Sequence, residues 1–101
     1  MDPSAVLHII KVLSNETRLN ILRWLKTPEA HFGVQNHNFE GGICVGSIQD
    51  KCGLAQSVVS GYLAMMQKAG LLESQRIGQW TYYRRNEATI QAFVDELQRE
   101  L

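Results

Sequence analysis

Few side chains in this 101-residue chain could do covalent or metal chemistry, and their spacing argues against both. The candidates are Cys44 and Cys52, with His31 and His37 in the stretch before them. A structural zinc site draws ligands in closely paired spacing, which one thiol and two histidines on a turn-rich stretch do not match. A nucleophile built from Cys44 and either histidine lacks an orienting carboxylate and an oxyanion loop. An internal disulfide does not fit a helical stretch: eight residues of helix span ~12 Å, against the ~4.4–6.8 Å between Cα atoms that the bond permits. Cys44 keeps one chemical reading, a redox-responsive thiol acting through an intermolecular bond or alkylation. Neither a metal, a cofactor nor a catalytic role follows from these residues.

A second chemistry, hydrogen bonding to nucleic acid, is written into Gly53–Leu72, GLAQSVVSGYLAMMQKAGLL. Val59, Leu63 and Met66 share one helical face, continued by Ala69 and flanked by Val58, Tyr62 and Met65. Gln56, Ser57, Ser60, Gly61 and Ala64 fall on the opposite side. Small residues let a helix backbone approach the floor of a major groove. Gln56 can pair with adenine, the serines can reach base edges or phosphate, and Tyr62 can donate to phosphate. Formal net charge is zero, yet between Lys51 and Asn86 the cations Lys51, Lys68, Arg76, Arg84 and Arg85 face only Glu73. Such local asymmetry is the footprint of a phosphate-contacting surface.

The elements that must position these residues are legible from periodicity and caps. Composition and length describe one globular domain, 1–101, of a size at which a second subunit often completes the core. No apolar run approaches ~20 residues and no secretory signal opens the chain, so a cytoplasmic protein without membrane contact is expected. Asp2-Pro3 starts a helix with Ala5, Val6, Ile9, Ile10 and Leu13 in one stripe. Ser14 or Asn15 caps a second, through Lys26, with Leu19, Ile21, Leu22 and Leu25 inward and Arg18, Arg23 and Lys26 solvated. Pro28 stops it. Residues 27–42 read as a surface loop pinned by Phe32 and Phe39, with His31 and His37 solvated. Ile43–Val45 suits a short strand, and Gly46 or Ser47 opens a helix that places Ile48 and Cys52 inward. Gly53 then supplies a corner needing positive φ. Leu71–Arg76 and Trp80–Arg85 form a β-hairpin about Ile77-Gly78-Gln79, with Trp80 and one tyrosine against the helices. Asn86 caps a last helix striped by Ile90, Phe93, Val94, Leu97 and Leu101. The fold class is mainly α with a small β-hairpin wing.

From Cys44 to Arg84 the chain resembles the ArsR/SmtB family of winged helix-turn-helix transcriptional regulators: a Gly corner, a recognition helix ending Ala-Gly-Leu-Leu, then Arg-Ile-Gly in the wing and Tyr-Tyr-Arg after it. The phrase LSNETRLNILRWL is similar to the family's opening helices. The resemblance implies a homodimeric repressor on an operator in double-stranded DNA, with recognition helix 55–69 and wing 72–85. Phosphate contacts fall to Lys51, Lys68, Arg76 and Arg84, with Gly78 and Gln79 at the wing tip. Base contacts fall to Gln56, Ser57 and Ser60, with Val58, Gly61 and Tyr62 alongside. In the family the first and last helices, here 1–13 and 86–101, pair across a two-fold axis, so Val6, Ile9, Ile10, Leu13, Ile90, Phe93, Val94 and Leu97 are the expected dimer interface.

The chain departs from the family in several places, among them the insertion at 27–42 and Cys52 where leucine is usual. Gly46 replaces the second thiol of the Cys-Val-Cys metal motif, and the last helix has no histidine for the other metal site. Ala55 stands where a capping serine is usual, and Gly61 where many relatives carry a larger residue. The effector is left unassigned. A rival reading, a winged-helix module that binds protein, fits the zero net charge; steep weakening of binding with salt separates DNA from a largely apolar partner.

Overall fold

Asp2 and Pro3 begin the first helix as their chemistry requires. The Asp2 carboxylate accepts from the Ser4 N–H at 3.1 Å, and Pro3 sits where a missing N–H costs nothing. This helix, α1 (Pro3–Leu13), gives way at Ser14-Asn15 to α2 (Glu16–Lys26), capped by the Asn15 side chain, which accepts from the Arg18 N–H at 3.0 Å. The computed structural model describes all residues, 1–101. After α2 come α3 (Pro28–Phe32), β1 (Ile43–Cys44), α4 (Val45–Cys52), α5 (Gln56–Lys68), β2 (Leu72–Ile77), β3 (Trp80–Arg85) and α6 (Glu87–Glu100). The strands form one antiparallel sheet in the order β1-β3-β2, with Ile43 opposite Tyr83 and Leu72 opposite Arg85. No helix is long and apolar enough to cross a membrane.

The core lies where α1, α2, α4, α5, α6 and the inner sheet face come together. Ile21, Ile43, Ile48, Leu63, Met66 and Leu71 are wholly excluded from solvent there. Burying a side chain of this size contributes about 1.5–3 kcal/mol, so the apolar stripes hold the helices at fixed angles around α5. Several boundaries differ from expectation by a residue: Val45 opens α4 instead of closing the strand, β2 begins at Leu72 and takes in Ile77, leaving Gly78-Gln79 as a two-residue turn, and α5 is one residue shorter at each end than 55–69. Of these two turn residues only Gly78 has positive φ, +62°, the pattern of a type II′ hairpin turn.

The 27–42 segment is more ordered than a plain surface loop. Pro28 does not merely end α2; it is the first residue of α3. Beyond α3 the chain folds across the outer sheet face, where the His37 ring lies 4.5 Å from that of Tyr82. His37 is therefore not a solvated loop residue. Its Nδ1 accepts from the Phe39 N–H at 3.1 Å and its Nε2 donates to the Gly42 carbonyl at 2.7 Å, which fixes one neutral tautomer. Phe39 folds back over Gly42, where a Cβ would come within 2.4 Å of its ring, so only glycine fits.

Three further expectations are corrected. Trp80 is 53% exposed; Tyr83, on the other face of β3, is the aromatic that packs against the core. Ile9, Ile90 and Phe93 are at most 9% exposed within a single chain, so they belong to the protomer's own core and not to a dimer face. Periodicity marks both layers of an apolar helix alike, and only packing separates them. Leu19 is half-buried, outside the fully excluded core.

Arg85 ties the sheet to two helices. Its Nη1 donates to the Leu22 carbonyl of α2 at 3.1 Å, and its Nε and Nη2 bind both Glu87 oxygens at 2.8 and 3.1 Å. The hydrogen bond from Arg85 holds the Glu87 carboxyl below its ordinary value of 4.5. A depressed folded-state value means that the pair stabilises fully above the ordinary carboxylate range and loses its effect as pH falls through it. Because Glu87 is largely exposed, the pair contributes under about 1 kcal/mol. Replacing Arg85 by Met is expected to cost about 1–3 kcal/mol through the lost Leu22 bond as well. In thermal unfolding, the gap between the wild type and Glu87→Gln should be present at neutral pH and close in acid below the carboxylate range. A gap that survives there rules the pair out as its source.

Candidate nucleic-acid interface

The corner between α4 and α5 is built by Gly53, whose N–H closes α4 on the Gln49 carbonyl at 3.1 Å and whose φ of +67° then turns the chain out of the helix. The chain re-enters a helix at Ala55, which offers no side-chain cap; the Val58 and Val59 N–H groups bond to its carbonyl. The outermost amides of α5 are thus left for solvent or an external acceptor. Val59, Leu63 and Met66 are buried beneath. Gln56, Ser57, Ser60, Gly61, Ala64 and Lys68 are exposed above, with Val58 and Met65 exposed along one edge. A Cβ on Gly61 would meet nothing within 4 Å, so no contact inside the chain requires glycine there.

Two flanks border this ridge. On one, the Ser74 hydroxyl of β2 donates to Gln67 Oε1 at 3.2 Å and holds the wing beside α5. At the wing tip Arg76 folds back, its Nε donating to the Gly78 carbonyl at 3.3 Å, and Arg76, Gly78 and Gln79 are all exposed. On the other flank stands Tyr62, half-buried; its oxygen accepts from Asn15 Nδ2 at 3.4 Å, and the Arg18 guanidinium lies over its ring at 4.9 Å. Arg18 is therefore not a solvated residue. Asn15 and Arg18 lie 47 and 44 positions from Tyr62, and a cap residue and an amphipathic arginine carry no sign of this meeting.

Part of the expected basic surface is used elsewhere. The Lys51 ammonium, on an exposed residue, lies over the rings of Trp24 and Phe32, 5.3 and 5.7 Å from their centres, on the side of α4 that meets α2 and α3. Arg84 is engaged within the chain: it pairs with Glu73 at 3.0 Å, donates to the Glu40 carbonyl at 3.3 Å and stacks on Phe39 at 4.0 Å, clamping 27–42 to the sheet. With Arg85 also engaged, Lys68 and Arg76 are the cations of the 51–86 segment left beside the ridge. No acid lies in 56–68 or in 74–83, so this surface is nevertheless positive.

Cys44 precedes α4 and lines a shallow groove with Gly46, Ser47, Asp50, Trp80 and Tyr82. Its thiol and that of Cys52 are free, and burial raises the Cys52 thiol above its ordinary value. His37 has both ring nitrogens engaged within its own loop and cannot activate Cys44. His31 is exposed on α3, and no three metal-ligating side chains are grouped.

No family model matches the chain. Among curated proteins, the HTH-type transcriptional regulator YbzH of Bacillus subtilis (strain 168) is 42% identical over the whole length of both chains. The arsenical resistance operon repressor ArsR2 of Halobacterium salinarum is 30% identical over 82% of this chain and 60% of its own. Among solved structures, the homodimeric winged helix-turn-helix DNA-binding domain of Mb0332 from Mycobacterium bovis, described as a possible ArsR-family regulator, superposes with a TM-score of 0.68. It is 27% identical, over 96% of this chain and 81% of that one.

Because Gly61 sits mid-helix over open space, Gly61→Ala should raise stability by about 0.8–1 kcal/mol, the helix preference of alanine over glycine. In thermal unfolding that is roughly 4–8 °C. A lower melting temperature would show that the fold itself requires this glycine.

Proposed function

Because the chain belongs to the ArsR/SmtB family of winged helix-turn-helix transcriptional regulators, we propose that it is a homodimeric, sequence-specific repressor that reads its operator with α5. The observation that carries this reading is the ridge of α5: exposed, free of acids, small-sided and open above Gly61. A helix fits a major groove when its outer face is narrow enough for the backbone to approach the base edges. Gln56 then pairs with adenine, Ser57 and Ser60 meet base edges or phosphate, Val58 offers an apolar contact to a thymine methyl, and Lys68 and Arg76 meet phosphates. The turn Gly78-Gln79 reaches the neighbouring backbone or minor groove.

Dimerisation is supported by what α1 and α6 leave uncovered. Ile10 and Val94 are exposed, Val6, Leu13 and Leu97 are half-buried, and a groove of about 310 Å³ between the two helices is lined by Val6, Leu7, Ile10, Leu97 and Leu101. A two-fold axis through this face would set two copies of α5 about 34 Å apart, one turn of DNA. The Mycobacterium bovis relative is homodimeric, and repression is supported by the name of the Halobacterium relative. Arsenic sensing is not carried over, because Gly46 leaves Cys44 without a thiol partner in its motif.

Gel shift on the region upstream of the protein's own gene tests the reading. Binding should weaken steeply with salt; a folded dimer that shifts no fragment at low salt contradicts it. Lys68→Ala and Arg76→Ala should each reduce the slope of log affinity against log salt by about 0.9, whereas Lys51→Ala and Arg84→Ala should leave it unchanged. Replacing Gln56 and Ser60 together by alanine should abolish preference for the operator over random duplex, and an unaltered preference would show that α5 does not read bases.

A further inference from the structure

We propose that Asn15, Arg18 and Tyr62 form an anion clamp at the α1–α2 corner that grips a backbone phosphate on the groove wall opposite the wing. The inference rests on the DNA-binding reading above and assigns two residues that it does not use.

The hydrogen bonds of the node leave it rich in donors. Asn15 Oδ1 is committed as the α2 cap, accepting from the Arg18 N–H at 3.0 Å, so its amide nitrogen is the group that faces Tyr62 at 3.4 Å. An amide nitrogen can only donate. The phenol oxygen is therefore the acceptor, and its own O–H is left without a partner in the chain. Arg18 spends Nε on the Val12 carbonyl, which ties the end of α1 into the node, and keeps both Nη groups. It forms no ion pair with any carboxylate of the chain. Three donor groups thus surround one ring, on three half-buried residues: the Tyr62 O–H, the second amide hydrogen of Asn15 beside it, and the Arg18 fork over the ring face. Such a set binds an anion, and the planar fork suits the paired oxygens of a phosphate.

Position selects which phosphate. Around the axis of α5, Gln67 faces the wing, while Tyr62 lies on the far side of the buried stripe of Val59, Leu63 and Met66. A duplex that receives the ridge of α5 has a phosphate chain on each wall. The wing meets one wall with Arg76, and the corner meets the other with Arg18 and Tyr62. Arg18 thereby adds a cation to the wall that Lys68 and Arg76 do not reach.

The test titrates the full-length chain with a short mixed-sequence duplex, followed by fluorescence anisotropy across a salt series, with inorganic phosphate as a second probe. Arg18→Gln should lower the salt slope by about 0.9. Tyr62→Phe, which removes only the hydroxyl, should weaken all duplexes by roughly fivefold with the slope unchanged. Unaltered DNA binding by a folded Tyr62→Phe protein overturns the clamp, as does an unaltered slope in Arg18→Gln. Should Arg18→Gln fail to fold for want of its bond to Val12, Tyr62→Phe decides alone. Competition by millimolar inorganic phosphate that disappears in Arg18→Gln would show a free-anion site, and the assignment to the duplex backbone would fall. Wild-type protein that binds no duplex overturns the DNA reading itself, whereas wild-type binding with indifferent variants overturns only the clamp.

Discussion

Everything in this molecule depends on burying one side of α5 completely while leaving the other side bare. Val59, Leu63 and Met66 are excluded from solvent by helices and sheet that converge on them. That burial holds the helix without help from its outer face, so the outer face is free to be small. Ala55 gives up a cap and Gly61 gives up helix propensity, losses of about 1 kcal/mol each that the core beneath must offset. A helix stabilised along its exposed side by ion pairs could not present so thin a ridge.

The same constraint explains how the arginines and lysines are used. Arg85 joins β3 to α2 and α6, Arg84 clamps the 27–42 segment across the outer sheet, and Lys51 covers the Trp24–Phe32 pair. These cations hold the scaffold around α5. The surface that remains is positive mainly because acids are absent from it, with Lys68 and Arg76 as its free charges and Arg18 poised at the corner. On the proposed reading, a lean electrostatic face would leave a greater share of discrimination to hydrogen bonding by Gln56 and the serines, since phosphate contacts carry no direct sequence information.

Much of this could be read from the chain alone, and the parts that could not share a cause. Caps at Asp2, Asn15 and Asn86, the Gly53 corner and the hairpin about Gly78 are local, and local chemistry dictates them: an oxygen two or three residues before an unpaired N–H, or a backbone angle that only glycine adopts without strain. The order of 27–42 was not legible, because His37, Phe39 and Gly42 make a bracket with no period, and its anchors Tyr82 and Arg84 lie over 40 residues away. The destinations of Lys51 and Arg84 were hidden for the same reason: charge can be counted along a chain, but its partners are set by the fold. Ile9, Ile90 and Phe93 show the matching limit for apolar stripes, which reveal that a face is covered and not whether the cover is the chain itself or a second copy.

On the proposed reading, α5 and the wing tip together are the surface that meets DNA, with the sheet's outer bracket serving the fold alone. Amide chemical-shift mapping on titration with an operator duplex tests this most directly. Shifts should concentrate in 55–68, at 76–79 and around Asn15 and Arg18, with the amides of 28–42 unmoved. Shifts centred on 28–42 or on the Trp80 side of the sheet, with α5 silent, would contradict it.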